Sequence, residues 1–316
     1  MSAVGTIASR IMSNGGLTDA SASGPAHFGR RIILTLGPLE EWRGLVSGET
    51  IEIVSDGTLK TLKVSCSIQK TIMGQPGQST FSIWNLAADT RNAIREHKTM
   101  LSLHAGWKVG GQPLLFQGSV MSVSSARSGP DIVTTITAMP GHDSLARTTL
   151  SQTYGKGVSV ADVVRDVASR LPGILVDEAF IAGLSGKVSN KGWSFAGPIR
   201  NALNGLAAEF GFSWSIQDGE FQAVGDDACL PGPTVELNGD NGGLISVSPQ
   251  STGVESESVR VSAIYIPGIV PGARVRVKSG IAPQLNGEYR VSNASYSLDA
   301  FSDSWTMDLD CNKGGV

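Results

Sequence analysis

Charge is scarce in this sequence: only 17% of its 316 residues are Asp, Glu, Lys or Arg, and the net charge is −3. That composition excludes a disordered polyelectrolyte and a strongly basic nucleic-acid surface. Cysteine is scarce too. Cys66, Cys229 and Cys311 lie far apart and match no metal spacing. An odd number argues against a secreted disulfide framework, so all three are expected as reduced, small core residues of a protein folded in a cytoplasm. No apolar run approaches the roughly 20 residues that span a bilayer, so no stable membrane insertion is expected. The first 29 residues are rich in Ser, Ala and Gly and lack the charged start and apolar stretch of a secretory signal. They are expected to form a flexible or partner-docked arm.

What is abundant is glycine, with 39 residues, as turns between short strands require. The length predicts two or three domains with real cores. From Arg31 to about Met139 the apolar period is two. Candidate strands include "RRIILTL" from Arg30 and "TIEIV" from Thr50. In "LKVSCSI", Leu62, Val64, Cys66 and Ile68 share one face. The Ser55–Thr58 turn before it and the "GQPGQ" loop after it read as hairpin punctuation. A further hairpin turns at Ser128–Asp131. In "FSIWNLAADTRNAI", from Phe81, a strand gives way to a short helix, with Phe81 and Ile83 on one face and Trp84 and Leu86 on the other. These strands suit a small closed barrel or a curled sheet.

The period then changes. "VSVADVVRDVASRL" sets Val160, Val163, Val164, Val167, Ala168 and Leu171 at helical spacing, with Ser159 as N-cap. "PIRNALNGLAAEFG" repeats the device, with Pro198 in the first turn, Leu203, Leu206 and Phe210 on the stripe, and Gly211 as stop. Asp218-Gly219 is a strong two-residue hairpin signal. After the "CLPGPT" linker from Cys229, alternation returns: Val275 and Val277 inward against Arg274, Arg276 and Lys278; then Trp305, Met307, Leu309 and Cys311 on one face against Asp308 and Asp310.

Catalytic signatures are tested and fail. His142, Asp143 and Ser144 are adjacent, whereas a triad needs side chains converging from separate places. His104 reads as an outward strand residue and His97 as a helix C-terminal cation. "YGKGVS" from Tyr154 lacks phosphate-loop spacing, and the aspartates around Asp303 miss the calcium-loop pattern. Asp226-Asp227 reads as a polar linker. The Arg274, Arg276 and Lys278 stripe reads as edge protection or a polar protein contact. No catalytic residue, metal site or cofactor is expected.

One resemblance organises the rest. "FSIWNLAADTRNAIREHKTMLSLHAGW" resembles the first-domain signature of phage tail and baseplate central hub proteins, the tail-tube-like hubs that carry the spike. The matching residues are Asn85, Leu86, Thr90, Arg91, Asn92, Ile94, Ala105, Gly106 and Trp107, with Phe116 and Gly118 in the next hairpin. Gly287, Tyr289, Val291, Trp305 and Cys311 match the closing region, and "SVADVVRDVASRL" is similar to the middle insert. Where the family often has a hydroxyl after Asn-Leu, this chain has Ala87-Ala88, so helix capping would fall to Asn85 or Asp89.

The resemblance implies a mainly β fold with an α+β insert. Two small tube-type β-barrel domains, 30–140 and 229–316, would flank a middle α+β module, 141–228. It implies a homotrimeric structural virion protein, assembled in the host cytoplasm, that joins a hexameric tail tube protein to a trimeric spike protein beside other baseplate proteins. DNA would pass transiently through its lumen. The rival readings are a tail-associated adhesin whose insert binds cell-wall glycan, and a tail-attached peptidase or glycosidase. The second lacks a placed acid, base or nucleophile.

Overall fold

The computed structural model describes residues 29–38, 50–94 except 73 and 75, 99–240 except 185, 188 and 227, 242–250, and 258–313. Residues 1–28 of the arm expected over 1–29, with His97 and Asp227, lie outside the described residues.

Alternation by two becomes strand in both outer regions. The first holds β1 (Arg30–Pro38), β2 (Ile51–Ser55), β3 (Val64–Thr71), β4 (Ser79–Trp84), β5 (Thr99–Trp107), β6 (Leu114–Ser128) and β7 (Asp131–Met139). Its short helix is α1 (Ala88–Ala93). The last region holds β13 (Val235–Asn238), β14 (Leu244–Pro249), β15 (Ser258–Ile264), β16 (Arg274–Lys278), β17 (Gly287–Asp299) and β18 (Trp305–Asn312). All thirteen belong to one sheet, almost wholly antiparallel, in which β13 and β16 pair in parallel.

The two regions are joined by β17. Its first residues pair with β16, and from Asn293 onward it pairs with β3. The change of partner coincides with a bulge between Val291 and Asn293, where an extra residue bends a strand and re-aims its edge. One apolar core underlies both regions, running from Ile32, Phe81 and Phe116 to Val261, Tyr296 and Leu309. Burying such a continuous face is the main favourable term for a sheet of this size.

Three local expectations are corrected. The Ser55–Thr58 turn does not join a hairpin: β2 pairs with β1, and β3 pairs with β4 and β17. Leu86 is buried in the same core as Phe81 and Ile83. The strict alternation breaks because Asn85 adopts a left-handed φ of 57° and turns the chain over. The α1 N-cap is Ala87, with no side-chain cap. Asn85 is occupied elsewhere: its amide donates to Asp131 Oδ1 at 2.8 Å, and its carbonyl oxygen accepts from Ile132 N at 3.0 Å.

Between the outer regions stands an α+β module. It contains α2 (His142–Arg147), β8 (Thr149–Tyr154), α3 (Val160–Ser169), β9 (Leu175–Val176), β10 (Trp193–Pro198), α4 (Ile199–Phe210), β11 (Phe212–Gln217) and β12 (Glu220–Gly225). The helical stripes pack together in a second core: Val160, Val163, Val164 and Val167 with Ile199, Leu203, Leu206, Trp214 and Phe221. Ser159 sits at the N-cap of α3 but makes no side-chain cap bond, and Pro198 is the N-cap of α4 rather than its first-turn residue. The β11–β12 turn is a two-residue one with positive φ at both Asp218 and Gly219, as its Asp-Gly sequence predicts.

Candidate assembly site

Trp107 ends β5 and Trp305 begins β18, nearly 200 residues apart in sequence on the order of a whole domain length, yet they meet edge-on with ring centroids 5.7 Å apart. Tyr265 packs edge-on against Trp305 at 5.9 Å and against Tyr296 at 6.0 Å. Its hydroxyl donates to the Ala105 carbonyl at 3.3 Å. Arg30 lies over the Trp305 ring at 5.8 Å and donates to the Ser302 carbonyl. Edge-to-face aromatic contacts of this kind add about 0.5–1.5 kcal/mol each beyond area burial. The seam between the first and last regions is therefore aromatic, and it brings together residues of both signature segments.

The other signature residues serve different ends. Asn85 ties the end of β4 to the start of β7, and Leu86 and Ile94 anchor the two flanks of α1 in the core. Thr90 and Arg91 are partly exposed and Asn92 is exposed. Gly118 has no room for a side chain: a Cβ there would lie 2.7 Å from the Met139 backbone and 2.8 Å from the Phe116 ring. Gly287 differs, since its nearest neighbour, the Tyr289 ring, would be 3.6 Å from a Cβ. Tyr289 is buried and its hydroxyl donates to the Leu285 carbonyl at 2.9 Å. Ala105, Phe116, Val291 and Cys311 are fully buried.

The module is fastened to the wall by polar contacts. Lys70, on β3, is buried and pairs with Asp218 Oδ2 at 2.6 Å. Burial pushes the Asp218 carboxyl up, and Lys70 and His104 pull it back. Asp218 Oδ1 is buried with no hydrogen-bond partner among the described residues. Close by, Gly74 N donates to the Trp214 carbonyl at 2.7 Å, and Arg290 donates to the carbonyls of Gly225 and Asp226 at 3.2 and 2.6 Å. Sequence reading passed over this ion pair. Its signal was phase: Lys70 continues the buried face of Val64, Cys66 and Ile68.

The candidate chemistry disperses. Ser144 donates to the Pro172 carbonyl at 2.6 Å and Asp143 pairs with Arg147 at 2.6 Å, so the His142–Ser144 run aims its side chains at separate neighbours. His104 Nδ1 lies 3.2 Å from the Gln112 carbonyl. Arg276 pairs with Glu288, and Lys278 with Glu236 at 2.8 Å, so the cationic stripe is neutralised from the neighbouring strands. Asp310 accepts from Arg260 at 2.9 Å and Asp308 from Ser262. Cys66 and Cys311 are buried thiols, and burial pushes Cys311 up to about 12. Tyr154, Trp193 and Phe195 are partly buried and pack against the module's own core. Among the described residues no group of three or more His, Cys, Asp or Glu side chains gathers for a metal, and no helix is long and apolar enough to cross a membrane.

What remains is a wall with open edges. Among the described strands, β2 pairs only with β1, β14 only with β15, and β13 only with β16. Ile245 on β14 is exposed.

The fold has known counterparts. A tail protein from Neisseria meningitidis MC58 superposes with a TM-score of 0.60 at 13% identity, covering 92% of this chain and 98% of that one. The 43 kDa tail protein of prophage MuSo2 from Shewanella oneidensis gives 0.57 at 12% identity, covering 89% and 98%. The E. coli c3393 protein gives 0.53 at 10% identity, covering 79% and 73%. It is described as a type VI secretion component similar in structure to the T4 tail proteins gp27 and gp5. At these identities the likeness is one of fold. Comparison with curated proteins finds no match. The model of the family described as baseplate hub gp41 matches residues 49–311, and this chain belongs to that family, a structural component of the phage tail baseplate.

Proposed function

We propose that this hub protein acts as a homotrimer closing a ring at the distal end of the tail tube. The ring joins the hexameric tube to the trimeric spike and leaves a lumen for DNA. The supporting observation is the continuous sheet: β17 on β3 places the regions 30–140 and 229–316 of one protomer in a single wall, with 141–228 as a module docked against it. Three protomers then contribute six β regions, which suits a sixfold tube on one side and a threefold spike on the other. Among the described strands the main path of the wall ends at β2 and β14, and a side branch ends at β13. In a closed ring, β14 of one protomer covers β2 of the next, and the two ends of the main path are paired.

In this reading the signature residues are assembly residues at one remove. Trp107 and Trp305 hold the two β regions at a fixed angle, Asn85 and Leu86 set the α1 bracket, and Gly118 and Tyr289 keep the wall closely packed.

Mass measurement of the purified chain, with negative-stain imaging, tests the proposal. The expected result is a three-copy particle with a central hole. Ile245→Lys, which puts a charge on the β14 edge, should convert it to monomers of unchanged melting behaviour. A wild-type chain that stays monomeric at micromolar concentration, with no ring in images, overturns it.

A further inference from the structure

Several arginines of this chain meet its own anions: Arg147 faces Asp143, Arg165 faces Glu178, Arg170 faces Asp166, Arg260 faces Asp310 and Arg276 faces Glu288. Arg91 and Arg127 do not. They come from α1 and from the outer half of β6, they line one open groove, and neither makes an ion pair among the described residues. Ile94, Val123, Ala126 and Ile132 line the same groove.

A second observation concerns α1 itself. It is 6 residues long and buries none of them. A helix this short gains its stability from packing rather than from its own hydrogen bonds. Here the support comes from outside the helix, through the Asn85 bonds to Asp131 and Ile132 and through buried Leu86 and Ile94. The result is a short helix with no buried residue, which presents Arg91 on the groove that Ile132 of the β6–β7 hairpin also lines.

We propose that this groove docks an extended, acidic segment of a partner protein, with its carboxylates on Arg91 and Arg127 and its apolar side chains on Val123 and Ile132. Guanidinium forks select planar carboxylates by bidentate hydrogen bonding. Val123 and Ile132 add an apolar part to a mostly polar lining, which a peptide's alternating side chains can cover and a phosphate backbone cannot. Surfaces that hold single-stranded nucleic acid supply aromatic faces for the bases, and no residue lining this groove is aromatic. The groove uses other elements than the β2 and β14 edges, so its failure leaves the ring reading standing.

The test is fluorescence polarisation of the full-length chain with three labelled probes: a Gly-Leu-Glu-Leu-Glu-Gly peptide, its Gln counterpart, and a short single-stranded oligonucleotide. The Glu peptide should bind, and should weaken as salt rises. Arg91→Gln or Arg127→Gln should each weaken it by about tenfold to a hundredfold, the worth of one charge-assisted hydrogen bond of about 1.5–3 kcal/mol. Arg127→Lys should recover only part of the loss, and particle mass should be unchanged in all three variants. The proposal is overturned if the Glu peptide does not bind, if the Gln peptide binds equally well, if neither Gln variant matters, or if the oligonucleotide binds more tightly.

Discussion

Replacing Lys70 with Met leaves the Asp218 carboxylate facing the wall without its cation. The Lys70 side chain is only 2% exposed, and its ammonium sits 2.6 Å from Asp218 Oδ2. Removing one partner of a fully buried pair costs about 3–5 kcal/mol, and the 22% exposure of the Asp218 side chain places this pair toward the lower end. The variant has one escape, which is to protonate Asp218. Neutralising a carboxyl of ordinary pKa ~3.9 at pH 7 costs about 4 kcal/mol, at about 1.36 kcal/mol per pH unit. That caps the loss, so Lys70→Met should cost about 3–4 kcal/mol at pH 7. The sign of the pH dependence follows. With its pKa raised in the folded state, Asp218 favours folding fully below the unfolded value of about 4 and loses that contribution as pH rises through the folded value. Lys70→Met should therefore recover toward wild type as pH falls from 7 to 5. Asp218→Asn keeps the left-handed turn residue but strands the ammonium, so it too should destabilise the fold at pH 7. The double variant, with neither charge, should cost less than either single one. Urea unfolding at pH 5, 7 and 9, followed by tryptophan fluorescence, reads all of this. A Lys70→Met loss below about 1 kcal/mol at pH 7, or one that does not move with pH, would refute the claim that a buried ion pair fastens the module.

Trp305→Ala removes the hub of the aromatic seam and should cost about 3–5 kcal/mol in denaturant unfolding. A cycle with Trp107→Ala should show about 0.5–1.5 kcal/mol of coupling, and strict additivity would count against the seam. Gly118→Ala drives a Cβ against the Met139 backbone and should cost about 1–3 kcal/mol, read as a lower melting temperature. Thiol labelling of the native chain should spare Cys66 and Cys311, both buried with raised pKa, and reach them only on denaturation.

Strand texture is legible where one face is buried. Val64, Cys66 and Ile68, and Trp305, Met307, Leu309 and Cys311, lie on the core side as their alternation predicts, because a period of two leaves a strand one choice of face. The helical stripes of α3 and α4 are legible for the same reason at a different period. Pairing is not legible. The Ser55–Thr58 turn has hairpin chemistry, yet β2 turns back on β1, since turn chemistry is local and cannot report which strand waits alongside. The joint between the outer regions spans 226 positions at Gln69 and Ser295, beyond any periodic signal. Asn85 shows how one residue defeats a correct pattern: its left-handed backbone moves Leu86 to the core side although the count by two is sound on either flank.

Lys70 is the opposite case, in which the pattern held a signal that composition obscured. A lysine in phase with Val64, Cys66 and Ile68 must either leave the core face or find an anion there, because an unpaired buried ammonium is too costly to keep. Phase thus predicts that a carboxylate exists. Which one cannot be read locally, for Asp218 lies 148 residues away and its sequence advertises only a turn. The turn and the ion pair are one device: the Asp-Gly geometry that makes β11–β12 a tight hairpin also carries the Asp218 side chain to the wall. The residue that shapes the module is therefore the residue that fastens it.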